Sequence, residues 1–144
     1  IELIMVIVIL GILSAFALPK FADFSGQAAD ASIQGAVGAI KAGSAIAHAQ
    51  FLANGSTGTT VTLEGATIDL TNGYPSGSDL GDLVDLTGYV LNTTVTPPII
   101  SQGGDAGDNC FTYTDATATV PPVISAIGSY GEGATAATSD DTCS

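Results

Sequence analysis

Arginine and tryptophan are absent from this sequence, and only two lysines, Lys20 and Lys41, carry cationic side chains. Against fourteen Asp and Glu residues this leaves a formal net charge of −12. Nucleic-acid binding depends on Lys and Arg neutralising phosphates, so that class is excluded. Attraction to anionic headgroups through a basic patch is excluded on the same ground. Aromatic residues make up 6% of the chain, so its mean hydropathy of +0.45 comes from alanine and from one long apolar run. After residue 53 the composition turns polar, rich in Thr, Gly, Ser and Asp. A length of 144 residues allows one modest core besides the apolar run.

Cysteine is also scarce. Cys110 and Cys143 are the only two, too few to hold a metal by themselves. In a chain of exported character an even pair reads as a disulfide. Closing a loop of about thirty residues, it would stabilise the fold by ~3–4 kcal/mol through chain entropy.

The apolar run itself extends from Leu3 to Leu18, with Ser14 its one polar interruption and Pro19-Lys20 its end. Sixteen residues at about 1.5 Å each give about 24 Å, a little short of the ~30 Å hydrocarbon core but able just to span it. A cleavable signal would use Leu3–Leu13 as its apolar region and Ala15-Phe16-Ala17 as its cleavage site. Glu2 stands where that reading needs basic residues, and the segment is expected to persist in the mature molecule. A plain anchor leaves Glu2 unexplained, because an ionised carboxylate in hydrocarbon costs roughly 2.5–3.5 kcal/mol. Glu2 either lies in the headgroup layer beside water or meets a positive group on another copy. The residues alone leave both open.

The stretch IELIMVIVILGILSAFALPKF resembles the N-terminal assembly segment of type IV pilins. That family's mature chain usually begins Phe-Thr-Leu-Ile-Glu, its first amine methylated after leader removal. On this alignment the leader, the peptidase site and the methylated residue fall ahead of Ile1. Glu2 matches the family's glutamate, Gly11 its segment glycine and Pro19 its proline; the match is specific through about residue 21. The following LPKFADFSGQAADASIQGAVGAIKAGSAIAHAQ is similar, more loosely, to the helix of mannose-sensitive haemagglutinin pilins. From residue 54 onward no family-specific motif appears.

The resemblance implies that Glu2 pairs with the N-terminal amine of a neighbouring subunit, a docking charge rather than a catalytic one. Such a pair is buried among apolar helices, where charges must be matched. It implies a segment from Gly11 to Pro19 that is unwound in the fibre. Pro19 alone, lacking an N–H and crowding the carbonyl four residues back, dictates at least a kink. The resemblance also implies a homo-oligomeric helical filament at the bacterial cell surface. Its subunits wait in the inner membrane and are added by pilus assembly machinery. The subunit is expected to be no enzyme and to need no cofactor; adhesion, attachment or motility would follow from the exposed heads.

Two other functions compete. One is a pseudopilin of a type II secretion system, favoured if the head aspartates bind calcium. The other is a monomeric membrane-anchored binding module or enzyme, which predicts a ligand pocket and gives Glu2 no role beyond topology.

The expected fold is α+β, with residues 1–19 as membrane-anchor or filament-core segment, 20–53 as amphipathic helix and 54–144 as a β-rich head. Phe21, Phe24, Ala28, Ala31, Gly35, Ala42 and Ile46 recur at helical spacing, and Ile33, Val37 and Ile40 form a second stripe. Gly35, Gly38 and Gly43 admit close backbone approach, by the domain's own sheet or by a neighbouring subunit. Asn54-Gly55 is the stop signal. TTVTLEG and ATIDLTNG alternate as antiparallel strands around a Glu-Gly turn, with GYVLNTTVT and CFTYTDATATV as further candidates. Pro97-Pro98 and Pro121-Pro122 belong in loops or at strand ends. In pilins the segment between such cysteines is a variable C-terminal loop commonly pinned by a disulfide; its Gly/Ser/Thr/Ala-rich end is expected to be mobile without the staple.

Several chemical readings are weaker than their alternatives. Asp79, Asp82 and Asp85, like Asp105 and Asp108, fit an outward acidic face better than a calcium loop, since the spacing fails the EF-hand template. His48 has no acid or cysteine beside it in sequence and reads as structural. Asn54-Gly55-Ser56 and Asn92-Thr93-Thr94 match the glycosylation pattern only weakly. Phe16, Phe21 and Phe24 read as packing residues.

Overall fold

The computed structural model describes residues 1–131 and 141–144, and the side chains of all of these except 16–25. The chain forms two compact units, residues 1–32 and 33–144. Helix α1, Glu2–Ala53, contributes to both.

In the first unit the backbone is helical from Glu2 onward, including Gly11–Pro19. The single chain is thus continuous helix there, while the unwinding that the resemblance implies belongs to the fibre. Pro19 removes one donor, while the Leu, Ile and Ala residues before it favour helix strongly. Ser14 adapts too, its Oγ donating back to the Leu10 carbonyl at 2.7 Å without breaking the turn. The side-chain surroundings of Pro19, and with them the kink, lie outside the described residues, as do Phe16, Phe21 and Phe24. Among the described residues no helix is long and apolar enough to cross a membrane. The described side chains of the apolar run end at Ala15.

In the second unit one face of α1 lies under the head. Ile33, Ala36, Ile40, Ser44 and Ala47 are buried, at steps of three and four residues. The second of the two expected stripes is thus the core stripe. The first is not: Ala28, Ala31, Gly35, Ala42 and Ile46 are exposed. A sheet covers a single stripe of a helix, and this one takes the stripe carrying Ile33 and Ile40. The helix stops as Asn54-Gly55 foretold. Gly55 N donates to Leu52 O and Ser56 N to Phe51 O, both at 3.0 Å, the paired bonds of a Schellman motif.

The head holds two antiparallel sheets. The smaller is β1 (Thr60–Leu63), β2 (Ala66–Thr71) and β3 (Tyr74–Pro75) in that order. Glu64 and Gly65, at φ of 49° and 91°, make the tight turn between β1 and β2. Alternation then sends Val61, Ile68 and Leu70 inward against Ala47 of α1. A 3₁₀ turn, Gly77–Asp79, and a short helix α2, Leu80–Leu83, follow.

The larger sheet is built from β4 (Tyr89–Asn92), β5 (Ile99–Gln102), β6 (Asn109–Thr114), β8 (Gly128–Gly131) and β9 (Thr142–Cys143), in that spatial order. Strand β7 (Val123–Ile124) pairs with the far end of β6. Ile100, Phe111 and Tyr113 pack with Ile33, Ile40 and Leu80 in one cluster, while Ile99, Cys110 and Tyr130 form another. Neighbours Ile99 and Ile100 thus serve different clusters, so β5 and β6 are covered on both faces.

Candidate assembly site

Every residue from Ile1 to Ala15 is exposed. The large apolar side chains among them range from Ile1 at 98% to Val6 at 53%. Because they are nearly consecutive, they cover the whole circumference of the helix and leave no polar face for water. Glu2 sits in the first turn of this segment. A carboxylate there complements the positive end of the helix dipole. A side chain added at Gly11 would meet no atom within 4 Å. The structure therefore puts Glu2 and Gly11 on one bare apolar rod.

Cys110 and Cys143 are bonded, with Cα atoms 5.9 Å apart, and they join β6 to β9. Beside the bridge lies a polar cluster that the sequence reading missed. Asn92 and Asp141 are buried at 1% and 6% exposure. Asn92 Nδ2 donates to Asp141 Oδ2 at 2.7 Å, and Tyr130 OH donates to the same oxygen at 2.5 Å. The amide and hydroxyl of Thr94 both donate to Asn92 Oδ1. Nothing in the Ser/Thr/Asp-rich tail signals that Asp141 turns inward. The weak glycosylation match at Asn92 gains no support, because its amide nitrogen is buried and engaged. Asn54 is exposed.

His48 is structural. Its Nδ1–H donates to the Gly73 carbonyl at 2.8 Å, and its ring stacks on Tyr74 at 3.9 Å. The aspartates are less idle than an outward acidic face implies. Asp79 Oδ2 accepts from Asp69 N at 2.7 Å, and Asp108 Oδ2 accepts from Asp105 N at 2.9 Å. Asp85 accepts from both the hydroxyl and the amide of Thr87, which hold its carboxyl below the usual range. Short polar side chains close turns in this way, and sequence spacing alone does not distinguish that from solvation. Among the described residues no group of three His, Cys, Asp or Glu is placed to hold a metal ion.

Two cavities flank the head portion of α1. One, about 500 Å³, lies over Ala42, Ile46, Leu83 and Val84, with Glu64 and Asp82 in its lining. The other, about 200 Å³, is lined by Lys41, Ser44, Tyr74, Tyr113, Pro121 and Pro122, among others. Of the three helix glycines singled out, only Gly43 has close neighbours: a β-carbon there would come within 2.9 Å of Val84 and 3.0 Å of Leu83. At Gly35 and Gly38 it would meet nothing within 4 Å. No family model matches this chain, and neither a curated protein nor a solved structure is similar to it.

Proposed function

We propose that this chain is the structural subunit of a type IV pilus, a helical filament of identical copies at the bacterial cell surface. The observation that carries the reading is the bare N-terminal rod, apolar on every side from Leu3 to Leu13. Such a segment needs an apolar surrounding, and a bundle of its own kind supplies one. The match of Glu2, Gly11 and Pro19 to the pilin pattern gives that bundle its identity, and the stapled β-rich head fits a subunit whose outer surface faces water.

Assembly is then the activity. The rod is stored in the inner membrane and handed by assembly machinery to the fibre core, where rods of many copies bury one another. Glu2, the one carboxylate on the rod, meets the terminal amine of a neighbour there. Burial makes that pairing selective, because an unmatched charge in such a core is strongly unfavourable. Gly35 and Gly38, which face nothing in their own head, leave room for a neighbour's backbone.

Glu2→Ala tests the role of the carboxylate. Fibre recovered by shearing should fall about tenfold or more at unchanged amounts of cellular subunit. Unchanged fibre yield would remove Glu2 from the assembly step.

A further inference from the structure

The two cavities beside α1 differ in charge as well as size. At 100° per residue, Lys41 lies about 140–160° around the helix from Ile46 and Ala39. One flank of the head therefore carries a cation and the opposite flank carries two carboxylates. Lys41 is exposed and has no hydrogen-bond or ionic partner among the described residues. Glu64 and Asp82 are likewise exposed and unpartnered there. In a chain of net charge −12 with two lysines, an unpaired lysine is a scarce resource.

Both flanks also carry exposed apolar surface. Next to the Lys41 cavity, Val120 and Val123 stand 48% and 51% exposed on either side of Pro121-Pro122. On the opposite flank the 500 Å³ cavity has an apolar floor of Ala42, Ile46, Leu83 and Val84. Ile46 is 60% exposed within it.

We infer that these flanks are the two halves of one contact between successive copies of the chain. Lys41 of one copy meets Glu64 and Asp82 of the next, and the exposed valines Val120 and Val123 pack on the apolar floor between them. The inference rests on the filament reading and specifies how its heads meet. Charge favours this partner: packing copies of a chain of net charge −12 brings carboxylates together, and the contact is tolerable where it sets a lysine among them. A symmetric pairing would set Lys41 against Lys41 and acid against acid. Because the halves are different patches, each copy keeps one of each free, so the contact propagates instead of closing.

The test is covalent trapping in fibres of the full chain carrying Lys41→Cys and Asp82→Cys together, with the native bridge intact. Mild oxidation should give a non-reducing ladder of two, three and more linked copies, and either single variant should remain monomeric. In a second arm, Lys41→Glu should lower fibre yield about tenfold, and adding Glu64→Lys with Asp82→Lys should restore it. Fibres that form normally but give no ladder would overturn the contact and leave the filament standing. Dimers from Lys41→Cys alone would overturn it as well, by showing a symmetric pairing. Failure of the native chain to form any fibre would remove the filament reading and this contact with it.

Discussion

Tyr113 lies at the centre of the head, its hydroxyl donating to the Pro75 carbonyl at 2.8 Å. Burial, opposed by a hydrogen bond from Ser44 and aided by Asp115, pushes its phenol up to about 12 from 10.0. The folded protein thus holds this proton more tightly than the unfolded chain does. The associated stability is complete below pH 10 and is lost as pH rises from there to about 12. Denaturant midpoints measured across that interval should fall in the native protein and fall less in Tyr113→Phe. At neutral pH the same variant should lose about 1 kcal/mol, the net worth of the hydrogen bond. At this scale the sequence was legible where chemistry left few choices. A lone histidine without acid or cysteine was structural, and two cysteines made a bridge. It was opaque where a short polar side chain turns inward, as those of Asn92 and Asp141 do. Their burial depends on Tyr130 and on the sheet beneath them, partners that no local pattern names.

At the scale of elements, the glycines of α1 separate two kinds of packing. Gly43→Ala should destabilise the head by about 1–3 kcal/mol, because its β-carbon needs space held by Val84 and Leu83. Gly35→Ala should instead stabilise it by up to about 1 kcal/mol, since nothing opposes the added methyl and helix propensity improves. Thermal or denaturant unfolding of both variants checks the pair. Reduction of the Cys110–Cys143 bridge should cost ~3–4 kcal/mol in the same assay, because the bridge ties β9 to β6.

The hairpin of β1 and β2 was readable because one face is wet, giving alternation, and because Glu64-Gly65 marks the turn. Strand β5 was not readable. Ile99, Ile100 and Ser101 are all buried, so alternation vanishes, and Pro97-Pro98 just before them reads as a loop. The stripe of Ala28, Ala31, Gly35, Ala42 and Ile46 has helical period but faces outward, because periodicity does not say which apolar face a sheet will cover. The backbone at Gly11–Pro19 is helical in the single chain, and the unwinding implied by the resemblance is a property of the fibre.

For the molecule as a whole, the chain joins an apolar N-terminal segment with a single carboxylate to an acidic, stapled head. These two parts require different surroundings, and the proposed fibre, with rods inside and heads outside, provides both. That arrangement is the central claim, and imaging sheared fibres from the source cells at a resolution that traces residues 1–50 tests it most directly. The account predicts a continuous core of packed rods, with Glu2 beside a neighbour's terminal amine and Leu3–Leu13 buried on every side. Abundant monomer in membranes with no fibre, or fibres whose rods stay exposed, would contradict it.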